Sequence, residues 1–325
     1  TNPKQDYKRV VFWACPLSHK PYLRIMSLAI LHHLDFQAVI ADGHRFPMGK
    51  YGLIARFLIE DGLLAPEDFI VPDPIEFDQA CYAHWADYVG QVFHANLDPA
   101  ITKDIGFAVN ESVAMRARLS SGATLLAGKI ALDIGIATST AGGSHHARRS
   151  QGAGFCVIND VAIAAKNLIA SGDAKHIMIF DCDVHQGDGT ADIFKSDASV
   201  TTISIHNEKN YPTRKIASDL DIGLEDNLGD AAYLEIIDAT LHRALEYTKP
   251  DLVFYNAGVD PHHKDRLGRL SLSDDGLRLR DRAVIKHFRE RNIPIAAVQG
   301  GGYSYDVEEL ARRHTIIHHV AAEFA

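Results

Sequence analysis

Hydrophobic and polar positions follow two alternating patterns after about residue 125 of this chain. Short apolar runs typical of buried strands (HIMIFD, VTTISIH, DLVFYNAG and IPIAAVQ) alternate with longer amphipathic segments typical of helices. The helix TLLAGKIALDIG stops at Gly135, DVAIAAKNLIASG stops at Gly172, and SDDGLRLRDRAVIKHFRERN begins at Ser273; DAAYLEIIDATLHRALEYTKP is a further helix. Because this alternation is typical of parallel sheets covered on both faces, the sequence predicts an α/β fold with a mostly parallel central sheet flanked by helices.

The first 110 residues favour helices more strongly. PMGKYGLIARFLIEDGLL at 47–64 is the clearest amphipathic helix, and RVVFWA at 9–14 is an early strand that could join the sheet. No low-complexity linker or internal repeat divides the chain. We therefore expect a single domain over residues 1–325.

Composition and charge narrow the functional class. The chain is 46% hydrophobic and 23% charged, as expected of a globular protein, and its formal net charge of −9 argues against direct nucleic-acid binding. An acidic surface does suit basic, lysine-rich substrates. The four cysteines are scattered without CxxC spacing, which favours a reducing compartment. No signal peptide or apolar run of membrane-spanning length is present, so we expect a cytoplasmic protein without a membrane partner.

Polar residues gather where three predicted strands end. In IMIFDCDVHQGDGT, the side chains of Asp181, Asp183 and His185 follow an apolar strand. Alternation along a strand would place them on one face, and burying them together is costly unless a cation compensates their charge. Asp260 follows DLVFYNAG, and Tyr303 follows IPIAAVQ. Because ligands of such sheets bind beyond the carboxyl ends of the strands, these residues are expected to converge on one rim.

Asp183, His185 and Asp260 are the candidate ligands of a metal ion. Three protein ligands leave coordination positions open for water and substrate, as catalytic zinc sites require. One imidazole and two carboxylates form a harder set than three histidines, so Fe(II), Co(II) and Mn(II) stay open beside zinc. A second ion would need another acid near His185, where the chain has Gln186 and Gly187, and we expect one ion per chain.

Two consecutive histidines, His145 and His146, stand in the glycine-flanked segment AGGSHHARRSQGAGF. Metal-assisted hydrolysis of an amide needs a base for the water and an acid for the leaving amine. Two histidines, each steered by a carboxylate, could divide that work, and Asp181 and Asp188 are the acids not used as ligands. An exposed pair of loop histidines is the alternative interpretation.

Aromatic residues complete the candidate site. Tyr303 in GGGYS could donate a hydrogen bond to a carbonyl oxygen as it becomes an oxyanion, or it could simply pack after a glycine turn. Phe155 in GAGF is either a core residue or part of a substrate channel. Tyr211 in NEKNYPTRK is a candidate for the opposite channel wall.

The segments GGSHHA, GFCVINDVAIAA, FDCDVHQGDGT, NAGVD and GGGYS together resemble, in this order, the motifs of the zinc-dependent histone deacetylase family of the arginase–deacetylase superfamily. The resemblance covers about residues 40–315. SGATLLAGKIAL, DVHQG and NAGVDPHHKDRLGRLSLS are most similar to class IV members and their bacterial relatives, and HRFPMGKY at 44–51 resembles bacterial members. The resemblance implies the arginase–deacetylase fold and a hydrolase acting on acyl-lysine amides.

The resemblance also implies a role for each matching residue. Zn²⁺, with Fe²⁺ or Co²⁺ as substitutes, would be bound by Asp183, His185 and Asp260. His146 would transfer protons with His145 as its electrostatic partner, Asp181 and Asp188 would orient these two histidines, and Tyr303 would polarise the carbonyl. The acyl-lysine tunnel would be lined by Gly154, Phe155, Tyr211, Leu267 and Gly301. A structural K⁺ or Na⁺ would be held at Asp181, Asp183, His185, Ser204 and Ile205.

Gln186 departs from the pattern of class I and class II members, and Asp188 departs from that of some class IV members. Gln186 replaces the second histidine of HHGDG, as it does in class IV members, and because this position is not a ligand we expect activity to be kept. Asp188 is retained where class IV members can carry asparagine. The preferred length of the acyl chain, acetyl or longer, is left open.

We therefore expect a metal-dependent amidohydrolase that removes acyl groups from lysine ε-amines of a peptide or protein. The alternative substrate is a small acylated amine such as an acetylpolyamine. Two other interpretations are a binuclear manganese hydrolase of the arginase type and a reader that binds acyl-lysine without turnover. The sequence leaves the oligomeric state open.

Overall fold

A computed structural model describes residues 28–325, so the predicted strand RVVFWA and Cys15 lie outside the described residues. The strands are β1 Ala29–Leu31, β2 Ile136–Ser139, β3 Ile177–Asp181, β4 Val200–Asn207, β5 Leu220–Leu224, β6 Leu252–Asn256 and β7 Ile295–Val298. The helices are α1 Lys50–Glu60, α2 Phe77–Cys81, α3 Ala86–Phe93, α4 Pro99–Ile105, α5 Glu111–Ile134, α6 Asp160–Ser171, α7 Asp188–Phe194, α8 Asp230–Tyr247, α9 Asp274–Arg289, α10 Val307–His314 and α11 Ile316–Ala322. Two short 3₁₀ helices cover Leu34–Phe36 and Pro66–Asp68.

Within residues 28–325, seven strands form one sheet in the order β1-β2-β7-β6-β3-β4-β5. Every neighbouring pair is parallel, which confirms the predicted α/β class with helices on both faces. All carboxyl ends of the strands therefore lie at one edge of the sheet. The prediction of a single domain over 1–325 stays a prediction, because the first 27 residues are outside the described range.

Alternate side chains of each strand pack into two separate cores, one on each face of the sheet. On β3, Ile177 and Ile179 belong to the core beneath α5 and α6, whereas Met178 and Phe180 belong to the core beneath α8, α9 and α11. This follows from the two-residue period of a strand. Because both faces are covered, the strands read as continuous apolar runs rather than as alternating ones.

The long helix α5 shows how closely the layers pack. It ends at Gly135, whose φ of 98° is left-handed, and the chain enters β2 one residue later. In the middle of α5, a Cβ on Gly128 would lie 2.9 Å from both Leu168 on α6 and Phe254 on β6. Glycine at 128 thus permits the close approach of α5 to its neighbours. None of the described helices is both long enough and apolar enough to cross a membrane.

Candidate metal centre and active site

Three buried side chains at the carboxyl edge of the sheet form a candidate metal centre. Asp183 and His185 follow β3, Asp260 follows β6, and one ligand atom from each lies within 4.8 Å of the others. The Nδ1 atom of His185 is 3.0 Å from Oδ1 of Asp183 and 3.1 Å from Oδ2 of Asp260. The exposed fraction is 1% for Asp183, 6% for His185 and 0% for Asp260.

The convergence of Asp183 and His185 has a different cause from the strand alternation expected from the sequence. β3 ends at Asp181, and the following residues form turns. The amide N–H of Asp183 donates to Oδ1 of Asp181 at 3.0 Å, and the N–H of His185 donates to Oδ1 of Asp183 at 2.9 Å. Aspartate side chains commonly accept from the backbone two residues further on. The spacing of acids two residues apart therefore builds consecutive turns that aim the ligands inward.

Backbone donors hold the second oxygen of each carboxylate. The N–H of Gly301 donates to Oδ2 of Asp183 at 2.6 Å, and the N–H of Val184 donates to Oδ1 of Asp260 at 2.8 Å. A Cβ at residue 301 would lie 2.1 Å from Oδ2 of Asp260 and 2.7 Å from Oδ2 of Asp183. Gly301, predicted as a substrate-binding residue, thus directly contacts two of the candidate ligands.

The charges of the triad fit a divalent cation. Burial disfavours the imidazolium form of His185, but its contacts with Asp183 and Asp260 outweigh burial and raise the pKa of His185 to about 10. Burial and the nearby Asp183 raise the pKa of Asp260. Positive charge is thus strongly favoured between the two carboxylates, and a metal ion would take the place of the His185 proton. Zinc–ligand distances of about 2.0–2.2 Å imply tetrahedral ligand atoms about 3.4 Å apart, a few tenths of an ångström more than the two separations from His185 Nδ1.

His145 and His146, which stand in the loop between β2 and α6, each pair with a different carboxylate. Nδ1 of His145 is 2.7 Å from Oδ2 of Asp181, and Nδ1 of His146 is 2.7 Å from Oδ1 of Asp188. The Nε2 atoms of the two rings lie 3.1 Å apart. Both histidines are buried, so the alternative of an exposed loop pair is wrong. The pairing of each histidine with its own acid is the arrangement predicted from the sequence.

The two histidines have opposite electrostatic environments. Burial disfavours the charged form of His145, but the carboxylates of Asp181 and Asp183 outweigh it and raise the pKa of His145 to about 9. Burial and the charge of His145 lower the pKa of His146 to about 4, despite its contact with Asp188. Neighbouring groups whose pKa values are driven apart are typical of divided acid–base work.

Two supporting residues were not predicted from the sequence. Asn256, the last residue of β6, donates from Nδ2 to Oδ1 of Asp181 at 3.0 Å. Arg148 donates from Nε and Nη2 to Oδ2 of Asp188 at 3.0 and 2.7 Å. Asn256 stands inside the motif NAGVD and Arg148 directly follows GGSHHA, but the sequence alone does not reveal which acid each residue contacts.

Tyr303 follows β7 and faces the metal triad. Its backbone N–H donates to Oδ2 of Asp265 at 2.7 Å, and its ring centroid is 6.2 Å from that of His185 and 5.7 Å from that of Phe155. Burial and the carboxylates of Asp183 and Asp260 hold the pKa of Tyr303 well above its ordinary value. The phenol therefore remains protonated and can act as a hydrogen-bond donor.

A cavity of about 360 Å³ leads from the surface to these groups. Its walls include the four predicted tunnel residues Gly154, Phe155, Tyr211 and Leu267, and its floor includes His146, His185 and Tyr303. Gly301 does not line this cavity but a smaller one of about 30 Å³ beside Asp183. The outer lining contains charged residues that were not predicted from the sequence, namely Arg45, Lys103, Asp104, Lys209 and Arg269.

The predicted monovalent-cation residues lie on neighbouring strands. Asp181 of β3 and Ser204 of β4 are register partners, and Ile205 follows in β4. Oγ of Ser204 is 3.0 Å from Nδ1 of His206. Binding of K⁺ or Na⁺ here stays a prediction.

Comparison with known proteins gives consistent results. Residues 44–319 match the profile of the histone deacetylase domain. The chain is 41% identical over 298 residues to an uncharacterised protein of Picosynechococcus sp., covering 92% of this chain and 99% of that protein. It is 31% identical over 271 residues to histone deacetylase 2 of Arabidopsis thaliana, covering 80% of this chain and 70% of that protein.

A solved structure shares the fold. An HDAC homologue from Aquifex aeolicus superposes with a TM-score of 0.80 at 23% sequence identity, over 92% of this chain and 84% of that one. The domain match also encloses every candidate site residue from His145 to Tyr303.

Proposed function

Because this chain belongs to the histone deacetylase family, we propose that it is a metal-dependent hydrolase that releases acyl groups from the ε-amine of lysine in a peptide or protein. The observation that carries this proposal is that three groups each contribute a side chain to the lining of one cavity. These side chains are His185 of the Asp183–His185–Asp260 triad, His146 of the His146–Asp188 pair, and Tyr303. A cavity of about 360 Å³ that leads from the surface to these groups suits an acyl amide carried on a long, thin side chain.

Zn²⁺ is the ion that we propose for the triad. When bound by Asp183, His185 and Asp260, it would polarise the substrate carbonyl and lower the pKa of water. The choice of zinc over Fe²⁺ or Co²⁺ rests on family membership, since the ligand set accommodates all three.

His146 transfers the protons of the reaction, and His145 stabilises charge beside it. The Nδ1 atom of His146 is held by Asp188, so Nε2 is the atom that accepts the proton of the attacking water. The same atom then delivers a proton to the amine nitrogen as the C–N bond breaks. The water oxygen ends in the released carboxylate, and the products are a free acid and a lysine amine. His145, held in its charged form by Asp181, stabilises negative charge that develops beside it.

Tyr303 donates its hydroxyl hydrogen to the carbonyl oxygen as that oxygen becomes negative. Preorganised donors of this kind contribute most where water is excluded. The burial that keeps the phenol protonated thus also makes its hydrogen bond effective.

A peptide series tests the proposal. Peptides that carry acetyl, octanoyl or myristoyl on one lysine are incubated with the protein, with chelator, and with chelator followed by excess Zn²⁺, and the products are identified by mass. We expect the protein to release the acid, the chelator to stop this release, and added zinc to restore it. The peptide that is cleaved fastest defines the preferred acyl length. If zinc-loaded protein releases no acid from any peptide but cleaves acetylpolyamines, the lysine assignment is wrong. If it binds acylated peptides tightly and cleaves nothing, the protein is a reader.

A further inference from the structure

The outer lining of the cavity is positively charged, although the chain as a whole has a net charge of −9. Resting on the proposed deacylase function, we infer that the preferred substrate is an acyl-lysine flanked by acidic residues. Four cationic side chains, from four separate segments of the chain, surround the mouth through which the acyl-lysine enters: Arg45, Lys103, Lys209 and Arg269.

Arg45 and Lys103 form one side of the mouth. His44 Nε2 lies 3.0 Å from the carbonyl oxygen of Gly106, and this contact fixes the segment before α1 against the end of α4. The guanidinium carbon of Arg45 sits 4.9 Å from the ring centroid of Phe155, a stacking that places its charge at the tunnel wall. Both cations are exposed, and neither has a carboxylate partner within the described part of the chain.

Lys209 and Arg269 form the other side. Asn210 donates from Nδ2 to the carbonyl oxygen of Leu267 at 2.6 Å, which ties the loop after β4 to the loop after β6. Lys209 Nζ and Arg269 Nη1 each lie 3.5 Å from the same oxygen of Asp226. One carboxylate cannot neutralise two cations, so this side also keeps a positive charge.

The net charge at the mouth is positive, although the net charge of the whole chain is negative. Asp104 is the acidic residue in the lining, and its carboxylate accepts a hydrogen bond from Gln151 at 3.2 Å. Counting Asp104 and Asp226 against the four cations leaves an excess of two positive charges, in a chain whose net charge is −9. The field at the entrance decides which substrate is attracted.

The positive charge at the mouth reverses the substrate preference expected from the negative net charge of the chain. An overall acidic protein suits lysine-rich substrates, but a lysine-rich segment or a polyamine would meet like charge at this entrance. Glutamate or aspartate on either side of the acylated lysine would instead lie opposite Arg45, Lys103, Lys209 and Arg269. The acylated lysine side chain is itself neutral, so the charges of the flanking residues determine which substrate is preferred.

Three matched peptides test the inference with the zinc-loaded full chain. Each contains one acetyl-lysine with two flanking residues on each side, all glutamate, all glutamine or all lysine. We expect kcat/KM to fall in that order, with about a tenfold span between the glutamate and lysine peptides at low ionic strength and a smaller span at 0.5 M salt. A pair of small amides, Nα-acetyl-Nε-acetyl-lysine and its methylamide, shows whether a single carboxylate on a small molecule gives the same preference.

Charge variants show whether the mouth causes the preference. K103E/K209E changes the local excess from positive to negative and is expected to invert the order of the glutamate and lysine peptides. K286E, an exposed lysine on α9 that pairs with Glu290, makes the same kind of change elsewhere and should leave the order as in the wild type.

The outcomes separate the two claims. Equal rates on all three peptides, a faster lysine peptide, or an order that K103E/K209E does not alter would overturn the inference while leaving deacylation intact. A larger preference for the free carboxylate of the small amide pair than for the acidic peptide would overturn the peptide assignment. Failure to cleave even the glutamine peptide would instead contradict the proposed function and, with it, the inference.

Discussion

Replacing Gly301 by alanine tests how tightly the metal ligands are held. The added Cβ would lie 2.1 Å from Oδ2 of Asp260, whereas ordinary contacts begin near 3.4 Å, so the carboxylate or the backbone must move by about 1.3 Å. Metal sites tolerate displacements of only about 0.5 Å. The same change disturbs the 2.6 Å hydrogen bond from Gly301 to Asp183.

The magnitude follows from the two contacts that change. Loss of a group that orients a metal ligand typically weakens metal binding by about 10- to 100-fold, and here two ligands are affected. We therefore expect G301A to bind zinc about 100-fold more weakly than the wild type, equivalent to about 2.7 kcal/mol. Overpacking of a buried site should also destabilise the metal-free fold by about 1–3 kcal/mol.

Competition between the protein and a chromophoric chelator measures the zinc affinity, and circular dichroism with thermal unfolding in excess chelator checks that the variant folds. G90A is the matched control, because a Cβ at residue 90 on α3 meets nothing within 4 Å. It should bind zinc normally and be as stable as the wild type or slightly more so. A folded G301A that binds zinc within twofold of the wild type would refute the proposed position of these carboxylates.

Three further substitutions probe other parts of the account. Y303F should lower kcat by about 10²–10³ with little change in KM, because the hydroxyl is needed chiefly when negative charge develops on the carbonyl oxygen; steady-state kinetics on an acetyl-lysine peptide measures it. D188N should lower kcat by about 10²–10⁴ in the same assay with zinc content unchanged, because an uncharged amide no longer orients and stabilises charged His146. R280M should destabilise the fold by about 3–5 kcal/mol in urea unfolding, because it leaves Asp281 buried without the guanidinium that contacts it at 2.8 Å.

Each substitution has a control of the same chemical type. Tyr305 is 83% exposed, so Y305F should retain the wild-type rate. D192N changes another acid of α7 that does not contact His146, and R282M removes an exposed arginine that neighbours Arg280 in sequence. A Y303F or D188N rate within threefold of the wild type would contradict the role assigned to that residue. An R280M variant as stable as R282M would show that the buried ion pair contributes nothing.

Much of the fold was predictable because its strands and helices have strong periodic patterns. The helix ends at Gly135 and Gly172 and the helix start at Ser273 lie where the sequence predicts them, since left-handed glycines and a serine cap leave clear local signals. The strands β1, β2 and β5 were not predicted. β1 and β2 have three and four residues, too few to show a period, and β5 is an edge strand with mixed exposure.

The deep site was also predictable, whereas its mouth was not. Asp183, His185 and Asp260 converge as expected because parallel strands bring their carboxyl ends to one edge, although turns rather than strand alternation aim the first two. Lys103 lies outside the motifs, and although Arg45 stands in HRFPMGKY, neither residue has a spacing that links it to the site. Charges brought together by loops from separate segments leave no local pattern, so only the structure reveals them.

Zinc titration of metal-free protein tests the central claim most directly. The protein is stripped with chelator, the chelator is removed, and hydrolysis of an acetyl-lysine peptide is measured as Zn²⁺ is added in fractions of an equivalent. We expect negligible hydrolysis without metal and a linear rise that ends at one zinc ion per chain, with no rise in an H185A variant. Full activity in metal-free protein, or a rise that ends at two ions per chain, would contradict a single metal centre formed by Asp183, His185 and Asp260.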